Sequence, residues 1–583
     1  MPKTVRLSVV ALSSAWVVAL MLTAVPAAQA PASPAAAPQA ATPPAAAATP
    51  DAGIPVTDQV VVKACSGCHR PDDKQQLSRI SFRRTTPEGW ERTITRMMAL
   101  NNLKIDAQTA RAVVKSLSNS HGLAPEEARR STYEVERRLG DEEFKAEALN
   151  GTCDACHALG RVLGQQRTKQ EWDLLIAMHR GWYPIIDRQT FRRMGAAPTG
   201  RDASGRPPDL RHPSEKAADF LAETFPLQTR EWAAWSATMR PARIDGTWTL
   251  SGWEISKGPI YGKVVMTPVA GSTDDFTTTT TYTYARTGEQ VSRTGRVSVY
   301  TGFQWRGRST VGGAEDSALR EVMFIEPDWT AIKGRWFAGG YDELGIDVQL
   351  QRAGSALTVV GVDHTALRAG ATGQPLKIYV ANPPATLAPG ELDLGPGVTV
   401  SAATVAGDVI TATVDVAAAA AVGPRALVVA GSVKPAALTI FDKVDSLRVT
   451  PTWSMSRVGG VVFPKMLARF DAWTYNNGPD KKPGTADDLR LDAVVAQWSV
   501  EEYKATFDDD DLKFVGGIDA ATGVFTPNVD GPNPQRKGDR NNMGDVWAVA
   551  TYTPPGAAAP LKARSHLLVT APLYMKFDPT VTP

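Results

Sequence analysis

All four cysteines of this chain lie in two copies of a Cys-x-x-Cys-His motif, at residues 65–69 and 153–157. Two thiols three positions apart on one helical turn can each add to a vinyl group of haem, while the adjoining imidazole reaches the iron. The motifs therefore predict two covalently attached c-type haems. The predicted haem-attaching thiols are Cys65, Cys68, Cys153 and Cys156, and the predicted proximal ligands of the irons are His69 and His157.

Two other interpretations of the cysteines explain less of the sequence. A zinc site needs a third and a fourth thiolate, or additional histidines, near each pair. A disulfide leaves the histidine after each pair without a role. One short motif is a weak signal, but two copies that use every cysteine of the chain are much more specific.

The N-terminal residues 1–30 have the composition of a secretory signal peptide. Lys3 and Arg6 precede an apolar run over residues 7–22, and small residues before position 30 form a cleavage site. Residues 31–50 are almost wholly Ala and Pro, and we predict a flexible linker there. No later segment has the roughly 18–20 continuous apolar residues that a spanning helix needs. We therefore expect export to the periplasm.

Composition divides the rest of the chain into one helical part and three β-rich parts. The spacing of apolar residues is helical up to about residue 241, and short alternating runs of Thr, Val, Gly and aromatic residues follow. The predicted fold class is multidomain, an all-α dihaem cytochrome c domain followed by three all-β domains. The predicted boundaries are 51–241 for the cytochrome c domain, 242–353 for a small antiparallel β-barrel, 354–442 for an immunoglobulin-like β-sandwich and 443–583 for a C-terminal β-sandwich.

Charge and motifs exclude several classes of function. The 63 basic and 61 acidic residues nearly balance, which gives no indication of a nucleic-acid partner. The sequence lacks a Gly-rich dinucleotide loop, a Walker loop, an HExxH motif and a GxSxG elbow. Acidic stretches at 480–488 and 508–511 lack the EF-hand spacing, so we interpret them as solvated turns and predict no metal there. The haem motifs are therefore the only feature of the sequence that indicates a chemical function.

The helical part contains an internal duplication. A segment that opens with Trp follows each haem motif, at 90–98 and at 172–179, and an Ile-Asp-x-Gln-Thr string follows each segment, at 105–109 and at 186–190. Each half is therefore predicted to contain a haem motif, an amphipathic helix opened by Trp, and a second helix. This arrangement indicates two fused small cytochrome modules.

An electron-carrying haem has an axial ligand on each side of its iron. Aligning the halves on their tryptophans pairs Met97 with His179, both on the apolar face of their helix. Aligning them on the Ile-Asp-x-Gln-Thr strings pairs Met97 with Met178 instead. We prefer the first alignment because loops accommodate length changes more easily than helices. The candidate distal iron ligands are therefore Met97 and His179; core packing is the alternative role for Met97, and Met98, Met194 and His121 are competing ligands.

The predicted ligands also predict a direction of electron flow. A His/Met haem has a higher potential than a His/His haem, so electrons are expected to run from the second haem to the first. Among the other histidines, His121 precedes a glycine and is predicted to be a cation at a helix C-terminus. His212 is expected in a solvated loop, and His364 and His566 are interpreted as ordinary residues of the β-rich part.

Four segments, one of which is the second haem motif, resemble the alpha subunit of quinohaemoprotein amine dehydrogenase, as do the first haem motif and the three predicted β domains. The resemblance covers nearly the whole chain after the signal peptide. The segments that carry it are Thr-Pro-Glu-Gly-Trp at 86–90, Gly-Leu-Ala-Pro-Glu-Glu-Ala-Arg at 122–129, Cys-Asp-Ala-Cys-His at 153–157 and Phe-Thr-Pro-Asn-Val-Asp-Gly-Pro-Asn-Pro at 525–534.

The resemblance implies a periplasmic heterotrimer with a β-propeller subunit and a small subunit that bears cysteine tryptophylquinone. In that family the quinone oxidises a primary amine to an aldehyde and ammonia, and the electrons leave through two haem c groups of the alpha subunit to a small copper protein or cytochrome c. A cysteine tryptophylquinone needs a cysteine, and in this chain the two haem motifs use all four. The quinone is therefore expected on a partner subunit, and we assign no catalytic residue to this chain. A self-sufficient dihaem enzyme of the peroxidase type and an exported haem-bearing scaffold are the alternatives.

Overall fold

The structure is a computed structural model. It describes residues 52–130, 146–149, 152–153, 159–183, 186, 201, 205–338, 344–504 and 509–572. The predicted signal peptide and linker, Cys156, His157, Met194 and the end of the second Ile-Asp-x-Gln-Thr string lie outside the described residues.

The N-terminal part is built from short capped helices, which we call the helical domain. Side chains of Asp58, Thr86, Asp106, Thr168 and Thr229 accept the backbone N–H groups that a first helical turn leaves unpaired. The helices are α1 (Gln59–Cys65), α2 (Pro87–Leu100), α3 (Ala107–Ser120), α4 (Pro125–Arg129), α5 (Gly160–Leu163), α6 (Lys169–Trp182), α7 (Pro213–Thr224) and α8 (Arg230–Thr238), with a 3-10 turn at Glu147–Leu149.

The prediction that this domain is all-α was incomplete. Strands β1 (Arg83–Thr85) and β2 (Gln165–Arg167) form an antiparallel pair between the two halves, and Arg84 faces Gln166. Each strand runs directly into the N-cap of the helix that follows it, α2 or α6. Strands of three residues are too short to show an alternating pattern, so they could not be predicted from the sequence.

Eight antiparallel strands close into a barrel, which confirms the predicted antiparallel barrel. Consecutive strands are neighbours, and β10 pairs with β3 to complete the circle. In β5 buried and exposed positions alternate, and three large tryptophans, Trp248, Trp305 and Trp336, help to fill the interior. The strands are β3 (Gly246–Glu254), β4 (Gly258–Pro268), β5 (Asp275–Tyr284), β6 (Gln290–Tyr300), β7 (Gln304–Val311), β8 (Ala314–Ile325), β9 (Ala331–Ala338) and β10 (Gly345–Arg352).

Two four-stranded sheets follow and bury a shared aliphatic core that includes Leu376, Ile378, Ile410, Leu427 and Ile440. One sheet has the order β11-β13-β16-β15 and the other β12-β18-β17-β14. This is a β-sandwich, and its immunoglobulin-like character stays a prediction. The strands are β11 (Thr358–Val362), β12 (Ala366–Arg368), β13 (Gln374–Ala381), β14 (Leu392–Asp393), β15 (Val398–Ala406), β16 (Val409–Val416), β17 (Gly423–Val429) and β18 (Ser432–Phe441).

The C-terminal part contains three sheets, ordered β19-β22-β23, β20-β28-β27-β24 and β21-β26-β25. Their inner faces share a core with Phe470, Trp498 and Phe525. The elements are β19 (Ser446–Thr450), β20 (Trp453–Arg457), β21 (Ala468–Arg469), β22 (Asp471–Asn476), β23 (Leu489–Val494), β24 (Gln497–Glu502), α9 (Asp511–Phe514), β25 (Gly516–Ile518), β26 (Val524–Pro527), β27 (Gly544–Tyr552) and β28 (Leu561–Thr570).

The helical domain is joined to the barrel at the β6–β7 turn. Tyr300, at the end of β6, is 3% exposed and packs in the apolar core around α1, α2 and α3. The side-chain oxygen of Asn119 accepts a hydrogen bond from the backbone N–H of Thr301 at 2.8 Å. Glu88 of α2 and Arg306 of β7 form a buried ion pair. The barrel is thus a platform that fixes the first half of the helical domain.

No helix in the described ranges combines the length and the apolarity that crossing a membrane requires.

Candidate functional site

The first Cys-x-x-Cys-His motif begins at the end of α1 and continues as a helical turn. The backbone N–H groups of Cys68 and His69 donate to the carbonyl oxygen of Cys65 at 3.1 and 2.9 Å. The ring Nδ1 of His69 lies 2.8 Å from the carbonyl oxygen of Ser78, which can only accept. This contact assigns the proton to Nδ1, so Nε2 carries the lone pair that a metal needs. The sequence predicted the histidine but not this carbonyl partner.

The two thiols of the first motif lie in different environments. Cys65 is buried in the apolar core, whereas Cys68 is exposed. Burial raises the pKa of the Cys65 thiol to about 11, with a smaller contribution from Cys68. This environment suits a neutral sulfur such as a thioether, and it disfavours the thiolate that a zinc site uses. The described residues of the motif therefore fit a covalently bound haem.

The second motif is described only at Cys153, because Cys156 and His157 lie outside the described residues. The backbone N–H of Cys153 donates to the carbonyl oxygen of Leu149 at 3.1 Å, which is again a helical turn. Cys153 packs against a core that contains Trp172, Leu221 and Phe225. Each half of the domain therefore has its own core with one motif cysteine and one tryptophan.

The two tryptophans make equivalent hydrogen bonds. Trp90 Nε1–H donates to the carbonyl oxygen of His121 at 3.0 Å, and Trp172 Nε1–H donates to that of Phe225 at 3.2 Å. These carbonyls belong to the C-caps of α3 and α7. Helix α7 therefore occupies in the second half the place that α3 occupies in the first. In sequence it begins at Pro213, well after the second Ile-Asp-x-Gln-Thr string.

The same two carbonyls also accept the backbone N–H groups of Thr85 (3.0 Å) and Arg167 (3.2 Å). The next residues, Thr86 and Thr168, are the N-caps of α2 and α6. The two residues of each pair, Thr85 and Arg167 or Thr86 and Thr168, are as far apart in the sequence as the two tryptophans. The structural repeat therefore follows the alignment of the halves on their tryptophans. Met97 and His179 therefore stand at equivalent positions of equivalent helices, whereas Met178 is equivalent to Arg96.

The two candidate distal ligands lie near the contact between α2 and α6. Arg96 Nη1 of α2 is 3.8 Å from the sulfur of Met178 of α6. Met97 and His179 are the next residues in the sequence, so they belong to the turns at which the two helices meet. His179 Nδ1 lies 2.8 Å from the carbonyl oxygen of Leu175, one turn back in its own helix. That bond again assigns the proton to Nδ1 and leaves the lone pair on Nε2. Both side chains are partly buried.

Two other histidines differ from their predicted environments. His121 is the C-cap of α3, as predicted, but it is fully buried, and burial lowers its pKa to about 4. It is therefore neutral at pH 7, and its ring nitrogens contact the Ser120 hydroxyl (2.8 Å) and the Ile54 carbonyl (3.2 Å). His212 is not a solvated loop residue, because its ring accepts the backbone N–H of Ser214 as the N-cap of α7.

The acidic stretch at the start of α9 is occupied by a cation of the chain itself. Arg536, 3% exposed, donates to Asp510 at 2.7 Å and to Asp511 at 2.5 Å. Asp509 completes a group of three carboxylates. Because a guanidinium already neutralises two of them, the cluster is a structural ion pair in this structure.

A cavity of about 1040 Å³ lies where the three β parts meet. Asp471 accepts hydrogen bonds from Trp253 Nε1 (2.7 Å) and from the backbone N–H of Ser256 (3.0 Å). Arg469 forms an ion pair with Glu254 of β3. These side chains join the barrel to the C-terminal part, so we interpret the cavity as a gap at the interface between the β domains.

Three family models match the chain. The model described as quinohemoprotein amine dehydrogenase A, alpha subunit, haem binding, matches residues 56–196. The models for alpha subunit domain II and alpha subunit domain IV of quinohemoprotein amine dehydrogenase match residues 241–353 and 447–580. No curated protein matches the chain.

Solved structures resemble parts of the chain only weakly. A redesigned β-barrel is 18% identical over 20% of this chain and 98% of its own, with a TM-score of 0.18. The Bacteroides ovatus mixed-linkage glucan utilisation locus protein SGBP-B, in complex with a mixed-linkage heptasaccharide, is 9% identical over 53% of this chain and 64% of its own, with a TM-score of 0.18.

The family models cover the helical domain, the barrel and the C-terminal part in the order in which they occur. They agree with a haem motif whose histidine is oriented for a metal. The chain therefore belongs to the family of quinohaemoprotein amine dehydrogenase alpha subunits, as a haem-binding electron-transfer subunit of an oxidoreductase complex.

Proposed function

We propose that this chain carries two haem c groups in the periplasm and passes electrons from a partner subunit to a soluble acceptor. The partner is a small subunit whose cysteine tryptophylquinone oxidises a primary amine to an aldehyde and ammonia. A β-propeller subunit completes the heterotrimer, and a small copper protein or cytochrome c accepts the electrons. Export through a cleaved signal peptide at residues 1–30 places the chain in the compartment where c-type haem is normally attached.

One observation supports this proposal most directly. The structure of the helical domain is duplicated around the β1–β2 pair, with equivalent helices, caps and tryptophan hydrogen bonds in each half. Each half also contains a Cys-x-x-Cys-His motif. Two equivalent modules that touch are the arrangement an electron relay needs, since each electron then has only a short step between carriers.

The chain's own residues would hold and orient the haems. Cys65 and Cys68 would attach the first haem, and His69 would bind its iron through Nε2 while Ser78 holds the other ring nitrogen. Cys153, Cys156 and His157 would do the same for the second haem. A bound haem supplies a one-electron couple at its iron. The chain would thus set which residues bind each iron and how polar the surroundings of each haem are. The oxidation of the amine would take place on the partner subunit.

The candidate distal ligands assign different potentials to the two halves. Met97 would ligate the first iron through its thioether, and His179 would ligate the second through Nε2. Thioether ligation favours the reduced iron more than imidazole does, so the first haem would have the higher potential. Electrons would then move from the second module to the first across the α2–α6 contact.

The distal ligands can be tested by single substitutions. Met97→Ala and His179→Ala should each convert one of the two low-spin haems to a high-spin form, because water is a weaker ligand than a thioether or an imidazole. Absorption and electron paramagnetic resonance spectra of the mature chain measure this. Met98→Ala, on an exposed neighbour of Met97, is the matched control and should leave both spectra unchanged.

Met178→Ala distinguishes the two alignments. If Met178→Ala alters a haem spectrum and His179→Ala does not, the tryptophan register is wrong for the ligand. If neither substitution does so, the second distal ligand lies elsewhere.

The role in the complex is tested by separating the chain from its partners. We expect the purified mature chain to contain two reducible haems and to oxidise no primary amine. Copurification from the periplasm should recover a quinone-staining small subunit, and adding amine to that complex should reduce the haems. Amine turnover by the isolated chain, or a complex in which amine leaves the haems oxidised, would contradict the proposal.

A further inference from the structure

The junction between the two modules holds more positive than negative charge. Arg79 forms an ion pair with Glu171 at 2.8 Å, and Arg167, only 5% exposed, lies 3.6 Å from the same carboxylate. Arg96 approaches them from α2, and its hydrogen bond goes to the sulfur of Met178. We call Arg79, Arg96 and Arg167 the arginine cluster. In the described part of the junction, the Glu171 carboxylate pairs with Arg79 and Arg167.

The positive charges of these guanidinium groups repel one another. Burial lowers the pKa of Arg167 to about 9; Glu171 opposes this shift, and Arg79 and Arg96 add to it. Burial also lowers the pKa of Arg96; Tyr183 opposes this shift, and Arg92 and Arg79 add to it. Arginine keeps its positive charge in proteins, so the junction has a partly desolvated excess of positive charge.

Two members of the arginine cluster, Arg79 and Arg96, adjoin residues of the predicted haem pockets. Arg79 directly follows Ser78, whose carbonyl orients His69. Arg96 directly precedes Met97, and its neighbour Met178 directly precedes His179. The cluster therefore lies beside both predicted pockets, and a haem bound there would bring its own anionic groups to this part of the domain.

We propose that the arginine cluster binds propionate carboxylates of the haems at the module junction. The inference rests on the proposed function, because it requires haem in these pockets. Haem carries propionate side groups, and the planar fork of arginine binds carboxylates with two parallel hydrogen bonds. The guanidinium groups also favour the added electron on a nearby iron, so the cluster raises the midpoint potential of the haem that it contacts.

Redox titration of the mature full-length chain tests the proposal. Arg96→Gln removes the charge and should shift the one-electron redox equilibrium of at least one haem about tenfold towards the oxidised form, about 59 mV. Arg96→Lys keeps the charge and should restore most of the potential. Arg79→Gln, at a half-exposed residue, should shift the potential in the same direction. Arg111→Gln, an exposed arginine of α3, is the matched control.

The shift should persist at about 1 M salt, because a buried contact is screened far less than an exposed one. A shift that disappears in high salt would show that the cluster faces solvent or a partner rather than a propionate. Potentials in Arg96→Gln and Arg79→Gln equal to those of the control would contradict the inference. A wild-type chain with fewer than two haems would contradict the proposed function itself, so the two failures are distinguishable.

Discussion

Replacing Arg84 with Met should lower the free energy of unfolding of the helical domain by about 3–5 kcal/mol. Arg84 lies on β1 opposite its equivalent, Gln166, and is fully buried. Both of its terminal nitrogens donate to the carboxylate of Glu127, at 2.7 and 2.8 Å. Removing the guanidinium leaves a buried carboxylate without its counter-charge, which costs far more than the loss of an exposed pair.

The other contacts of Arg84 explain why the loss would spread through the domain. The guanidinium also donates to the carbonyl oxygens of Leu227 (2.7 Å) and Gly122 (3.0 Å) and to the hydroxyl of Thr229 (3.1 Å). It therefore joins β1 to the segments before α4 and α8. Lysine offers one point charge instead of this fork, so Arg84→Lys should recover only part of the stability.

Denaturant unfolding of the mature chain, followed by haem absorbance, measures the effect. The double variant Arg84→Met with Glu127→Leu should recover most of the loss, because replacing both partners of a buried pair by apolar groups is often neutral. It should still lack the cap that Glu127 gives to the backbone N–H of Ala124, worth about 1 kcal/mol. Arg211→Met, at an exposed arginine, should have little effect. An equally small effect of Arg84→Met would show that the pair contributes nothing to stability.

The haem motifs and the duplication could be predicted from the sequence because they depend on local order. Spacing alone places two thiols and an imidazole on one turn, and the tryptophans Trp90 and Trp172 mark the start of equivalent helices. The helix that matches α3 was not identified, because α7 begins far along the chain after a different segment. Its equivalence to α3 shows in the hydrogen bonds that Trp172 and Arg167 donate to the carbonyl oxygen of Phe225.

The burial of ionisable side chains was the feature that could not be predicted from the sequence. The burial of Arg306 in β7 was not predicted, because an arginine in the middle of a strand is ordinarily expected to be exposed. In the structure Arg306 is buried because Glu88, from a distant part of the chain, neutralises it. The same holds for His121, whose position at a helix end was predicted correctly. Its neutral state was not, because burial under the Ile54 segment depends on tertiary contacts.

Replacing Glu88 with Gln should detach the first module from the barrel and cost about 3–5 kcal/mol at pH 7. Both partners of the Glu88–Arg306 pair are 3% exposed, and a second contact, from Arg306 Nη2 to Glu88 Oε2, is 3.1 Å long. Glu88 also lies in the first turn of α2, where the helix dipole favours a negative charge. The amide keeps the shape of the carboxylate but leaves the cation of Arg306 buried and unpaired.

The cost should depend on pH in a defined direction. Burial alone would raise the pKa of Glu88, but the charge and hydrogen bonds of Arg306 outweigh it and hold the pKa below its usual 4.5. A carboxylate with a depressed folded pKa contributes stability above its unfolded pKa, and that contribution is lost as the pH falls through the folded value. The difference between wild type and Glu88→Gln should therefore be full at pH 7 and shrink progressively below about pH 4.5.

Glu126 offers a matched control, because Pro125–Glu126 opens α4 as Pro87–Glu88 opens α2. Glu126 is exposed, so Glu126→Gln should lose only its interaction with the helix dipole, at most about 1 kcal/mol. Unfolding free energies of the three proteins at pH 7 and at pH 3.5 measure both effects. A Glu88→Gln loss no larger than that of Glu126→Gln, or one that grows as the pH falls, would mean that the ion pair does not hold the module on the barrel. A loss that is large at pH 7 and small in acid would show that one buried charge pair fixes the first haem module to its β platform.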